Sequence, residues 1–191
     1  MVKKLVAEGN TARAEKILFA EGFPEVTHGC SAIKDKCPAF ANMAKAGVAT
    51  LCITDLDRRP CASGLIRDWF GIPSSSPIVL PPEVVFRVAV REVESWIMAD
   101  REEWAKYIQI PKASFVVAPD SLLDPKQHLF SVIGRKGRKS FHKEMLPRGT
   151  AHVGPRYNEI ICEFVAEKWS PQRAAERSPS LLRAINALKK L

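Results

Sequence analysis

The run Val48-Ala-Thr-Leu-Cys-Ile-Thr54 is nearly all apolar or β-branched, and it ends in Asp55-Leu56-Asp57. A strand that reads this way, without polar alternation, is buried on both faces, as the central strands of parallel sheets are. Val84-Val-Phe-Arg-Val-Ala-Val90 is a second strand of the same kind, and Lys3 to Ala7 reads as a first, short one. Glu25 to Thr27 is a further short strand candidate. Helical stretches alternate with these strands. Thr11 caps a helix through about Ala20, Ala39 to Ala46 reads as a helix stopped by Gly47, and Arg91 to Ala99 follows directly on the Val84–Val90 strand. Asp100 with Glu103 resembles the start of a capping box for one more helix.

The second half changes character. Asp124-Pro125 is a helix start with an aspartate cap and proline in the first turn. Pro155 to Trp169 and Ser180 to Leu191 read as helices, punctuated by Ser170-Pro171 and Ser178-Pro179. Leu181, Leu182, Ile185 and Leu188 form an apolar stripe suited to a core. Strands alternating with helices, then helices alone, predict an α/β fold: a mostly parallel sheet flanked by helices, with a helical C-terminal portion. The expected division is an α/β core over residues 1–110 and a helical portion over 111–191, packed together as one unit, in a chain of 191 residues.

No apolar stretch reaches the roughly 18 residues of a membrane-spanning helix. The most apolar region, Pro77 to Val90, is broken by Pro81, Pro82, Glu83 and Arg87. The N-terminus does not read as a signal peptide. The five cysteines, Cys30, Cys37, Cys52, Cys61 and Cys162, are odd in number and form no CxxC pair. Reduced thiols and a cytoplasmic location are expected, with Cys52 and Cys162 acting as small hydrophobes. His28, Cys30 and Cys37 match no common zinc spacing.

The chemistry lies in acidic residues at strand ends. Asp55 and Asp57 are two residues apart, so both carboxylates share one side if the strand conformation persists. Two anions that close repel unless compensated, and a hard cation such as Mg²⁺ or Mn²⁺ takes carboxylate oxygens. The plainer alternative is an Asx turn beside Arg58-Arg59-Pro60. Glu8 also closes an apolar run and is followed by Gly9. In open α/β sheets functional groups gather at the carboxyl ends of strands, so Glu8 and the Asp pair can meet there. Glu92 and Glu94 follow the third strand. Helical residues two apart diverge by about 200°, so both face one site only if the backbone is still extended. Otherwise one is a ligand and the other pairs elsewhere, with Glu92 the nearer to the strand end.

The chain carries a formal charge of +8, which favours polyanionic partners. Six Lys or Arg against one Glu fall between Gly134 and Arg148. Within it, Arg135, Lys136, Arg138, Lys139 and Lys143 are candidates to neutralise phosphates from a mobile glycine-flanked loop beside the acidic site. His142 in that tract is expected to be incidental. Arg156, Tyr157 and Asn158 stand at a helix start, where Arg156 is a candidate anion contact and capping or packing is the alternative.

Val6-Ala-Glu-Gly-Asn-Thr11, Ile53-Thr-Asp-Leu-Asp57 and Ala89-Val-Arg-Glu-Val-Glu-Ser-Trp-Ile-Met-Ala-Asp100 together resemble an uncharacterised bacterial TOPRIM-like family, related to the TOPRIM domain of overcoming-lysogenization-defect nucleases. Gly154-Pro-Arg-Tyr-Asn158 and Ser178-Pro-Ser-Leu-Leu-Arg183 are similar to C-terminal motifs of that family. The resemblance implies a TOPRIM-like sheet and a divalent metal held by Glu8, Asp55 and Asp57 with Glu92 or Glu94. It implies hydrolysis of nucleic-acid phosphodiesters, with DNA favoured over RNA. It also implies an ATPase partner and a setting of defence against phage or mobile DNA. The alternative is a non-catalytic subunit of the same shape that binds an ATPase or nucleic acid. One departure favours the alternative: Asn10-Thr-Ala-Arg13 lacks the second carboxylate expected after the Glu-Gly turn. Topoisomerase chemistry is set aside, since only Tyr107 and Tyr157 are present in a small chain. No P-loop or dinucleotide fingerprint supports a nucleotide enzyme on the same sheet.

Overall fold

The computed structural model describes residue 1, residues 4–6 and residues 30–190. Among these, strand β1 (Thr50–Asp55) and strand β2 (Val84–Ala89) pair in parallel, with Thr50 opposite Val84 and Asp55 opposite Ala89. Side chains alternate between two covered faces, which explains why neither strand shows polar alternation. On one face Cys52, Val84, Phe86 and Val88 pack with Cys37 and Ala44 of helix α1 (Cys30–Lys45) and Leu65 and Trp69 of helix α2 (Ala62–Phe70). On the other, Leu51, Ile53, Val85 and Ala89 meet helix α3 (Val93–Ala99) and the C-terminal helices. Helix α1 starts earlier than its apolar pattern predicts, and Gly47 follows it with φ +75°, a backbone that glycine adopts without strain.

Helix α4 (Arg101–Tyr107) follows α3, and α5 (Pro125–Lys136), α6 (Ser140–Met145), α7 (Tyr157–Glu167), α8 (Pro171–Ala175) and α9 (Pro179–Leu188) complete the order. Helix α5 begins as predicted at Asp124-Pro125, and the two Ser-Pro pairs that read as punctuation prove to be helix starts as well. Asp124 accepts from Gln127 N, Ser170 from Arg173 N and Ser178 from Leu181 N. One buried cluster joins Val85, Trp96 and Trp104 to Leu129, Phe164, Trp169 and Leu181, so residues from both expected parts share a core. No helix among the described residues is long and apolar enough to cross a membrane.

Four expectations are corrected. Residues 4–6 are helical where Lys3–Ala7 reads as a strand. Leu5 is fully buried in the shared core, and Lys4 Nζ donates to the Trp169 carbonyl at 2.9 Å. Such a short apolar run carries no period by which strand and helix differ. Asp100 does not cap α4 through its side chain. Its buried carboxylate instead receives Arg173 Nε at 2.9 Å, Arg173 NH2 at 2.7 Å and Ser170 N at 2.8 Å, because a forked cation compensates burial better than one cap bond. Cys162 and Leu182 are exposed on α7 and α9 rather than packed.

The basic tract is the fourth. It is not a loop: α5 runs through Arg135 and Lys136, α6 starts at Ser140, and only residues 137–139 connect them. A Cβ at Gly137 would come within 2.6 Å of the Ile133 carbonyl and 2.7 Å of the His142 ring, so glycine permits the tight join. His142 locks the corner. It is buried, its Nδ1 accepts from Lys139 N at 3.0 Å, and its Nε2 lies 2.6 Å from the Ile108 carbonyl.

The expected helix Thr11–Ala20, the strand Glu25–Thr27 and Glu8 itself lie outside the described residues.

Candidate functional site

The register of β1 and β2 brings Asp55 and Ala89 to one edge, so both strands release their chains side by side. Leu56 N donates to the carbonyls of Ala89 at 2.9 Å and Arg91 at 2.8 Å, and Asp57 N donates to Arg91 at 2.9 Å. Arg91 returns two bonds through NH1, to the carbonyls of Asp57 at 3.1 Å and Arg59 at 2.7 Å. Asp57 sits at φ +52° and is exposed, so the extended conformation that would align it with Asp55 ends one residue earlier.

Asp55 points to the start of α3, where its Oδ1 accepts the Val93 N–H at 2.8 Å. Glu92 precedes that helix in extended backbone, φ −133° and ψ 159°. Its Oε2 accepts the Lys126 N–H at 2.8 Å, in the first turn of α5. Glu94, in the first turn of α3, is buried. Its Oε1 accepts the Tyr157 hydroxyl at 2.8 Å and lies 3.2 Å from Lys126 Nζ. Its Oε2 is buried with no hydrogen-bond partner among the described residues. The two glutamates therefore divide as their spacing allows: Glu92 faces the α5 start, and Glu94 faces Lys126 and Tyr157.

The electrostatics follow from three carboxylates sharing one ammonium. Burial, then the charge of Glu94, pushes the Asp55 carboxyl up to about 7, against the Val93 N–H and Lys126. Burial also raises Glu92, with Glu94 adding to the shift and the Lys126 N–H opposing it. Burial alone would lower Lys126, but Glu94, Glu92 and Asp55 together hold its ammonium above the ordinary lysine value. Burial and Glu94 raise the Tyr157 phenol, which stays a donor. Beside the cluster opens a cleft of about 690 Å³ bordered by Asp57, Arg58, Arg59, Glu92 and Asp124.

No protein-family model matches the chain, and neither a curated protein nor a solved structure matches it. The chemistry of the site therefore rests on its own geometry.

Among the described residues no group of three or more His, Cys, Asp or Glu side chains is arranged to hold one metal ion. The charge of Glu94 raises the cost of ionising Asp55, while Glu92 turns to the Lys126 N–H. The basic candidates stand apart. Arg135 and Lys136 close α5 nine and ten residues after Lys126, which at 1.5 Å per residue is roughly 14–15 Å away. Arg138 donates to the carbonyls of Arg135 and Gly137, and Lys139 and Lys143 are exposed around α6. Arg156 is engaged by Glu159, at 2.6 and 3.0 Å, and by Glu144 at 3.7 Å. Lys126 and the hydroxyl of Tyr157 are participants that sequence reasoning missed. Lys126 is marked only by following a helix-starting Asp-Pro, and Tyr157 only by its place at a helix start.

Proposed function

We propose that the chain is a TOPRIM-like, divalent-metal-dependent hydrolase of nucleic-acid phosphodiesters, with DNA favoured over RNA. The observation that carries this reading is the buried excess of carboxylate charge at the ends of β1 and β2, with Glu94 Oε2 lacking a donor among the described residues. The donors are hard oxygens, which suit Mg²⁺ or Mn²⁺. Asp55 and Glu94 would be the ligands, joined by Glu8, with Asp57 and Glu92 at the margin of the cleft. The metal would polarise a phosphate oxygen and make a bound water more acidic. The Val93 N–H and the Tyr157 hydroxyl orient the two carboxylates. Arg58, exposed at the cleft, and the basic ends of α5 and α6 supply cations for the backbone phosphates. An ATPase partner and a role in defence against mobile DNA rest on the family resemblance alone.

One observation favours the second reading, a non-catalytic subunit that binds nucleic acid or an ATPase. Lys126 Nζ already stands 3.2 Å from Glu94 Oε1, where it offsets part of the charge a metal would offset. Purified protein incubated with plasmid DNA or RNA, with Mg²⁺ or Mn²⁺, separates the two. Metal-dependent cleavage lost in Asp55→Asn supports the hydrolase. No cleavage, with no thermal stabilisation by either metal, leaves the binding subunit.

A further inference from the structure

A second cleft, of about 620 Å³, lies against the N-terminal half of β2, away from the Asp55 edge. Its walls come from β2, the segment preceding it, α2 and α9. Arg87 is the odd residue there. It is the one charged side chain in a strand otherwise made of Val, Phe and Ala. It alternates with Val85 and Ala89, whose side chains face the core shared with α9. Its Nε is buried with no hydrogen-bond partner, and no ion pair joins it to an acid among the described residues. Burial lowers the affinity of this guanidinium for its proton. An unpaired cation half inside a protein is costly, and such groups are ordinarily paired.

The opposite wall adds charge of the same sign. Arg183, Asn186 and Ala187 fall three and four residues apart, on one face of α9, and Lys190 follows just past its end. Arg183 and Lys190 are exposed, and no Asp or Glu lines the cleft. The floor is apolar, with half-buried Ile66 and Leu80, and Ala187 leaves room above it. The volume falls within the roughly 300–1,000 Å³ of small-ligand sites.

We propose that this cleft binds a nucleotide, with its phosphates on Arg87, Arg183 and Lys190 and its base against Leu80 and Ile66. Three cations without a counter-charge among the described residues match a phosphate chain of two or more negative charges better than a single carboxylate. The forked guanidinium of Arg87 fits phosphate oxygens in pairs. Asn186 carries both a donor and an acceptor, as the edge of a base requires. The assignment is independent of the metal-dependent reading, because it uses none of the residues at the Asp55 edge.

The test is calorimetric titration of the full chain with ATP, AMP and inorganic phosphate, in chelator and with the Asp55→Asn variant run alongside. Saturable ATP binding is expected in both proteins, with inorganic phosphate at least about tenfold weaker. Arg183→Glu combined with Lys190→Glu changes only exposed positions and should weaken ATP at least about tenfold. Ala187→Trp should block it by filling the cleft, with circular dichroism confirming an unchanged fold. Absence of saturable ATP binding overturns the proposal. So does a double charge reversal that binds as the wild type does, or inorganic phosphate that binds as tightly as ATP.

Discussion

Tyr157 donates its hydroxyl to Glu94 Oε1 at 2.8 Å, across 63 positions of chain. A residue at the start of α7 thus finishes the environment of a carboxylate beside β2, and both groups are buried. Tyr157→Phe keeps the ring against Phe130 and removes only the donor. Glu94 retains Lys126, so the expected cost is about 1–2 kcal/mol. Urea denaturation at pH 7 measures it. A variant as stable as wild type would mean that the bond contributes nothing.

Lys126 is the countercharge for three carboxylates. Lys126→Met leaves Asp55, Glu92 and Glu94 without an ammonium. Removing one partner of a fully buried pair costs about 3–5 kcal/mol. Lys126 is 32 % exposed and Glu94 6 %, so about 2 kcal/mol is expected at pH 7.5. The deficit should shrink towards pH 5, because carboxylates freed of the ammonium bind protons more readily. If the hydrolase reading holds, Mg²⁺ should raise the melting temperature of this variant more than that of the wild type. Equal shifts would separate Lys126 from the cation site.

Asp55 sets a pH dependence with a definite sign. Its carboxyl is raised to about 7 in the folded, metal-free protein, against about 3.9 unfolded. Folded protein therefore holds the proton more tightly, and stability falls as pH rises from about 4 through about 7. The three-unit difference corresponds to at most ~4 kcal/mol, lost above pH 7. Asp55→Asn keeps an oxygen for the Val93 N–H and removes the charge, so its stability curve should be flatter and higher at pH 8. Thermal melts in chelator from pH 4.5 to 8.5 test this. A wild type whose stability rises over that range would contradict the buried charge.

The basic ends of α5 and α6 should act on affinity alone. Changing Arg135, Lys136, Arg138 and Lys139 together to Ala should weaken binding to duplex DNA. Every phosphate left without its cation flattens the salt dependence by about 0.9 in logarithmic slope, so removing four cations flattens it by about 3–4. Fluorescence anisotropy at several salt concentrations reads this slope. An unchanged slope would show that DNA, if bound, lies elsewhere.

The strands β1 and β2 were legible because burial on both faces leaves an unbroken apolar run, and a run of that kind has few other uses. The helix start at Asp124 was legible because a cap followed by proline is a local device, complete within four residues, and the same device at Ser170 and Ser178 read only as punctuation. The acidic positions at the strand ends were also visible, since a carboxylate closing a buried strand stands out from its neighbours. Their division of labour was not. Glu92 turning to α5 and Glu94 to Tyr157 depend on where helices from distant sequence come to rest, and no local spacing encodes that. The same holds for residues 4–6, whose few apolar side chains suit strand and helix alike until the C-terminal helices offer Leu5 a core. It holds too for Asp100, which has the spacing of a cap but meets Arg173, 73 positions on. Local chemistry thus determined elements and the places where charge would be unusual. Tertiary packing decided which charges meet, because burial makes a carboxylate seek the strongest partner within reach, wherever that partner lies in the chain.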